Sequence, residues 1–108
     1  MISSEDAHLL LNKWKTESAL MCFVFATAEA GFSFMGRVIE LSSDVIQLMG
    51  SSPERPELLL KLAGARFEYG DAREAPESIR KSSQAKYAGA LSIILPSGDR
   101  CILIELRR

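Results

Sequence analysis

The chain has 108 residues, of which 47% are hydrophobic and 25% are charged. This balance is typical of a folded globular protein and excludes a chain that is disordered throughout. Thirteen basic and fourteen acidic side chains leave a formal net charge of −1, so no overall positive field draws nucleic acid or anionic lipid to the protein. The length predicts a single domain over residues 1–108.

An amphipathic helix is predicted at about 4–17. Ser3 and the acidic residues after it suit a helix N-terminus, because they satisfy free amide groups and complement the positive end of the helix dipole. We interpret His8, the only histidine, as a surface residue of this helix, and the only tryptophan as part of the core. The apolar side chains recur at helical spacing, at Ala7, Leu10, Leu11 and Trp14.

Three strands are predicted next, at about 19–27, 32–41 and 44–49. The first is apolar on both faces, which indicates a central strand that is covered on each side. A tight polar turn around Ser42 and Asp44 joins the second strand to the third. Gly36 stands in the middle of the second strand, where glycine marks a sharp bend or a close backbone approach.

A fourth strand is predicted at about 57–69, after a proline-bounded loop. The apolar residues before and after Ala63 and Gly64 alternate in opposite phases. A strand cannot change its buried face without an inserted residue, so we expect a bulge or kink at this pair. A long polar loop is predicted at 70–86, and strands at about 87–95 and 100–107 close the chain as a hairpin.

Together these elements predict an α+β fold. The N-terminal helix would pack on a strongly curved antiparallel sheet of five or six strands, because hairpin connections favour antiparallel pairing. The two glycine bends favour curvature strong enough to form a small open barrel.

The two cysteines, Cys22 and Cys101, fall in apolar runs on predicted strands, where cysteine is usually a small buried residue. A disulfide between them stays open, because the sequence does not show whether those strands pair. The cysteine usage predicts a reducing compartment, and we expect a cytoplasmic protein. No apolar run approaches the ~18 residues of a membrane-spanning helix and no secretory leader pattern opens the chain, so we expect no membrane partner.

The sequence shows no pattern of a catalytic, metal or cofactor site. An acid-base or nucleophile-activating histidine would have to be His8, and no serine lies in a nucleophile-elbow pattern. No CxxC or HExxH spacing occurs, and the glycines stand singly rather than in a phosphate-binding loop. We therefore expect a protein that is not an enzyme and that uses no cofactor and no metal.

The stretch FMGRVIELSSDVIQL, with the bent strand before it, resembles the first half of Sm-like domains. In that family a G-x-V/L-x-x-x-D pattern spans the second strand, its turn and the third strand. Gly36, Val38 and Asp44 carry the likeness, which covers residues 19–49. The family's asparagine after the Asp and its later Arg-Gly signature are missing here, so no RNA-contacting residue is carried over. The resemblance implies a helix on a small open barrel, with ring-like or dimeric self-assembly.

Three functions remain open. The first is a non-catalytic interaction module that forms a homo-oligomer through an edge strand. The second is RNA or single-stranded nucleic-acid binding, in which aromatic stacking and basic side chains hold the strand. Its candidate residues are Phe32, Phe34, Arg37 and Arg66, whose alternative interpretation is core packing for the two Phe and exposed strand faces for the two Arg. The third is small-molecule binding at the barrel mouth.

Overall fold

The structure, a computed structural model, describes residues 2–70 and 86–107, without the side chains of 86–88 and 107. In this part of the chain one helix precedes an antiparallel sheet, which confirms the predicted α+β class. The helix is α1, Ser4–Glu17. The strands are β1 Met21–Ala26, β2 Gly31–Leu41, β3 Val45–Gly50, β4 Glu57–Lys61, β5 Arg66–Gly70, β6 Lys86–Ile94 and β7 Arg100–Arg107.

Capping interactions define both ends of α1. The Ser3 hydroxyl accepts a hydrogen bond from the amide of Asp6 at 3.1 Å, which satisfies one of the free donors of the first turn. At the other end Ser18 adopts the left-handed conformation, with φ of 49°, and its amide donates to the Lys15 carbonyl. The helix therefore begins and ends where the sequence supplies short polar residues.

The sheet has the strand order β4-β3-β2-β1-β7-β6-β5, and every neighbouring pair is antiparallel. The central strand β1 lies between β2 and β7, in agreement with its apolar character on both faces. The outermost strands, β4 and β5, follow each other in the chain and are not hydrogen-bonded to each other as a ladder. The sheet is therefore not closed.

The main core lies between α1 and the concave face of the sheet. Buried side chains of the helix, Ala7, Leu11 and Trp14, belong to one cluster with alternate residues of the strands. On β4 these alternate residues are the even-numbered leucines, and on β2 they include Val38. A smaller apolar cluster lies on the opposite face, around Cys22, Ala90 and Ile104.

The prediction of five or six strands is wrong, because the single strand predicted at 57–69 is two strands. Residues 62–65 form a turn in which the Ala65 amide donates to the Leu62 carbonyl at 3.0 Å. Gly64 has a φ of 75° in the third position of this turn, which glycine adopts without a steric penalty. The switch of apolar phase at Ala63 and Gly64 therefore marks a turn between strands at opposite edges of the sheet, and not a bulge within one strand.

Gly36 makes the close approach that was one of its two predicted roles. A Cβ atom built on Gly36 would overlap the carbonyl oxygen of Met49 on β3. The register between β2 and β3 shifts between Val38 and Glu40, so one extra residue of β2 is accommodated there. A bulge of this kind bends its strand and increases the local twist.

The loop predicted at 70–86 lies, over 71–85, outside the described residues. Gly70 ends β5, and Lys86 begins β6. The last hairpin turns at 96–99, with the Leu95 amide donating to the Asp99 carbonyl at 2.9 Å. None of the described helices is long and apolar enough to cross a membrane.

Candidate interaction surface

The outer edge of β4 is a sheet edge whose backbone groups have no strand partner among the described residues. β4 pairs with β3 on one side only, in a register that places Leu60 opposite Ile46 and Leu58 opposite Leu48. The amide of Leu62 donates to the Asp44 carbonyl at 2.6 Å, and the amide of Gly50 donates to the Pro56 carbonyl at 2.7 Å. The even-numbered positions of this strand are thus the hydrogen-bonded ones.

Backbone direction alternates along an antiparallel strand, so the odd-numbered residues of β4 point the other way. The amides and carbonyls of Glu57, Leu59 and Lys61 face away from β3, and in the described part of the chain no strand pairs with them. An unpaired row of this kind is a template for the addition of another strand. We call these three residues the β4 edge triplet.

The side chains of the triplet share the convex face of the sheet. Leu59 is 60% exposed, and Glu57 and Lys61 are exposed on either side of it, whereas Leu60 between them is buried. Gln47 lies opposite Leu59 on β3, and its Nε2 donates to the Glu57 carboxylate at 3.4 Å. The surface is therefore an apolar centre with one acidic end and one basic end.

The other edge of the sheet, at β5, already has a partner. The amide of Ile2 donates to the Phe67 carbonyl at 3.0 Å, as part of an antiparallel bridge between these residues. The side chain of Ile2 packs against the main core. The segment before α1 therefore covers the middle of the β5 edge, whereas the β4 edge is open among the described residues.

The structure separates the four residues predicted for nucleic-acid binding. Phe32 and Phe34 lie on β2, with ring planes inclined by 11° and centroids 6.2 Å apart. Phe34 also meets the core residue Phe23 edge to face at 5.3 Å, and Phe32 is 52% exposed. Together with Phe25, whose ring centroid is 5.5 Å from that of Phe32, they form an aromatic stripe that leads out of the core.

The two arginines do not join this stripe. Arg37 lies on the opposite face of β2 from Phe34, and its Nε donates to the Ser18 carbonyl at 3.0 Å. That bond places a cation at the C-terminus of α1, where it complements the helix dipole. Arg66 lies on β5, which three strands separate from β2. The structure therefore brings the two aromatic residues together and places each arginine elsewhere.

His8 occupies a structural position as well as the edge of a cleft. Its Nδ1 lies 2.8 Å from the Ser4 carbonyl, and because a carbonyl only accepts, Nδ1 carries the proton of that bond. Its ring meets Phe67 edge to face at 6.2 Å. The cleft beside it, between α1 and the β2–β3 turn, has a volume of about 420 Å³. His8 thus helps to hold α1 on the sheet and is not the purely surface residue that the sequence predicted.

The two cysteines lie on opposite faces of the sheet. Cys101 belongs to the main core, whereas Cys22 belongs to the cluster on the convex face. In the register of β1 with β7, Cys22 is opposite Ile104, and Cys101 is opposite Phe25. A disulfide within one chain is therefore excluded by geometry. Burial raises the pKa of the Cys101 thiol from 9.0 to about 12 and also raises the pKa of Cys22, so both are weak nucleophiles at neutral pH.

The β4 edge triplet was not predicted from the sequence, because residues 58–61 fall within the one long strand predicted at 57–69. The alternation of exposed and buried leucines was a visible signal, but the direction of the backbone groups depends on which strand pairs with β4. Comparisons with protein-family models, with curated proteins and with solved structures find no match. The functional proposal therefore rests on the geometry of this surface.

Proposed function

We propose that the protein is a non-catalytic interaction module that self-associates through the β4 edge. The observation that carries the proposal is the β4 edge triplet, with outward-facing backbone groups around an exposed leucine. Strand addition to such an edge supplies main-chain hydrogen bonds, and the side chains on the exposed face supply specificity. The resemblance to Sm-like domains agrees with the proposal, since it implies dimeric or ring-like self-assembly.

The size of β4 sets the strength of the association that we expect. A strand of five residues with three outward-facing members offers about six hydrogen bonds to a matching strand. The contact area of one short strand lies below the ~1,200 Å² of a standard protein interface. We therefore expect a dissociation constant in the micromolar range or weaker. The association should be concentration-dependent and reversible.

Leu59→Lys tests this proposal. A lysine at this position keeps the ladder with β3 but places two charges where two leucines would meet, which is also how natural edge strands resist pairing. Loss of the buried leucine contacts should weaken association by at least about tenfold. Sedimentation equilibrium between about 10 µM and 1 mM covers the range in which an interface of this size associates.

The chain offers a matched control on α1. Leu9 is 66% exposed, so Leu9→Lys makes the same chemical change at an equally exposed leucine away from the β4 edge. We expect Leu9→Lys to associate like the unchanged protein. A strictly monomeric protein at the highest concentration, or equal association of the two lysine variants, would contradict the proposal.

A second candidate function is the binding of a flat aromatic ligand, such as the bases of a single-stranded nucleic acid, by the aromatic stripe. The near-parallel rings of Phe32 and Phe34 favour it, because a base stacked on an aromatic side chain contributes ~1–3 kcal/mol. Neither Arg37 nor Arg66 lies with the stripe, so we expect only a weak dependence of this binding on salt.

Fluorescence titration with a mixed single-stranded oligonucleotide at low ionic strength tests the second candidate. Phe32→Ala should weaken binding by about tenfold or more. Met35→Ala is the control, because Met35 is an exposed residue on the opposite face of the same strand. If the two variants bind alike, or if the unchanged protein does not bind, this function is removed.

A further inference from the structure

We infer that the strand which pairs with the β4 edge is β4 of a second copy, antiparallel and in the one register centred on Leu59. This inference rests on the proposed self-association and adds the partner, the direction and the alignment. Its starting point is the order of side chains in the β4 edge triplet, which is acidic, apolar and basic at successive outward-facing positions.

When two copies of β4 pair antiparallel about a two-fold axis at Leu59, the order acidic, apolar, basic on one strand meets the reverse order on the other. In this register Leu59 lies opposite Leu59 of the second copy, and Glu57, two residues before it, lies opposite Lys61, two residues after it, of the second copy. By symmetry the same ion pair forms at both ends. A two-fold interface requires such self-complementarity, because the same patch serves both partners.

Other alignments lose this match. An axis centred on Glu57 or on Lys61 would place two like charges opposite each other, which destabilises a strand pair. An axis shifted by one residue would place either Glu57 or Lys61 opposite Leu59, and the remaining charged residue of the triplet would then have no partner within the triplet. In a parallel arrangement at the same alignment, equal charges would lie beside each other. The centred antiparallel register is therefore the one that pairs every member of the triplet.

The surroundings of β4 favour a short partner over a long foreign strand. The next outward-facing residue before the triplet is Arg55, which has a φ of 45° and whose amide donates to the Ser52 carbonyl at 2.9 Å. The turn at 62–65 follows β4, so the extended ladder ends on both sides of the triplet. A longer strand would gain no further hydrogen bonds from this edge. A second copy of β4 has the matching length, the matching backbone phase and the complementary charges.

Charge exchange at the ends of the triplet tests the inference. Glu57→Lys places lysine opposite lysine in the symmetrical pair, and Lys61→Glu places glutamate opposite glutamate. Each variant alone should associate about tenfold more weakly than the unchanged protein at low salt. An equimolar mixture of the two variants should form a heterodimer of restored strength, because each like-charge contact is then replaced by an ion pair. The variant with both exchanges should regain its own self-association.

Lys13→Glu is the control for the change in net charge of Lys61→Glu, since Lys13 is an exposed residue of α1 away from the β4 edge. Sedimentation equilibrium gives the strengths, native mass spectrometry identifies the heterodimer, and thermal unfolding confirms that each variant is folded. The inference is overturned if the single exchanges associate like the unchanged protein, or if the mixture gains nothing. If Leu59→Lys still abolishes association in that case, the self-association stands and only the register and its partner strand are wrong.

Discussion

A proline scan along β4 tests the backbone directions on which both proposals depend. Proline has no amide hydrogen, so it disrupts a strand only where that amide takes part in a ladder. At Leu58 and Leu60 the amide points to β3, whereas at Leu59 it points away. Because alanine removes most of the side chain but keeps the amide, the difference between the Pro and Ala variants isolates the backbone effect at each position.

The expected magnitudes differ clearly between the two kinds of position. At Leu58 and Leu60 the Pro variant should lower the free energy of unfolding by about 2–3 kcal/mol more than the Ala variant, because a ladder bond is lost and a carbonyl of β3 loses its donor. At Leu59 the difference should stay within about 0.5 kcal/mol, since no bond to β3 is removed.

Urea unfolding at a protein concentration below the association range measures these differences for the monomer. Leu60 is buried, so its variants can fall below the threshold for folding; Leu58 is only partly buried and gives the same comparison with a smaller side-chain loss. An equal Pro–Ala difference at Leu58 and Leu59 would refute the assignment of outward-facing groups, and with it the β4 edge as an interaction surface.

Two further predictions concern the core. Gly36→Ala should lower the free energy of unfolding, measured in urea, by about 2–4 kcal/mol, because the added Cβ would overlap the backbone of Met49. Gly31→Ala is the control: the nearest atom to its added Cβ is 3.1 Å away, so it should lower the same free energy by less than about 1 kcal/mol. Equal losses in the two variants would contradict this explanation. The buried Cys101 thiol should make stability fall as pH rises from 9.0 to about 12, because the unfolded thiol ionises there while the folded one keeps its proton. The slope from this group is at most ~1.4 kcal/mol per pH unit, and it should disappear in Cys101→Ala; an unchanged slope would refute the assignment.

The sequence allowed much of the fold to be predicted where local patterns decide the structure. Helical spacing and the Ser3 cap locate α1, and alternating or continuous apolar runs locate most of the strands. The turn at Gly64 could not be distinguished from a bulge, because both produce the same switch of apolar phase. The difference lies in where the chain goes next, and that depends on long-range pairing with β3 and β6.

The candidate site was harder to predict than the fold. The apolar pattern shows which leucines of β4 are buried, but an edge exists only once the strand order of the whole sheet is known. Arg37 illustrates the same difficulty for charged residues, since its bond to the Ser18 carbonyl joins positions far apart in the chain. No local pattern distinguishes such a structural arginine from one that binds a ligand.

The bridge between Ile2 and Phe67 has a consequence for the kind of assembly that the sheet can build. If β4 of one copy added to β5 of the next, the contact would be head-to-tail and would build either a closed ring or an open-ended fibre. That contact would require the Ile2 amide to leave the Phe67 carbonyl first. This bridge ahead of α1 therefore disfavours the head-to-tail contact. Under the proposed self-association, it leaves the two-fold pair of β4 strands as the assembly that needs no movement of Ile2.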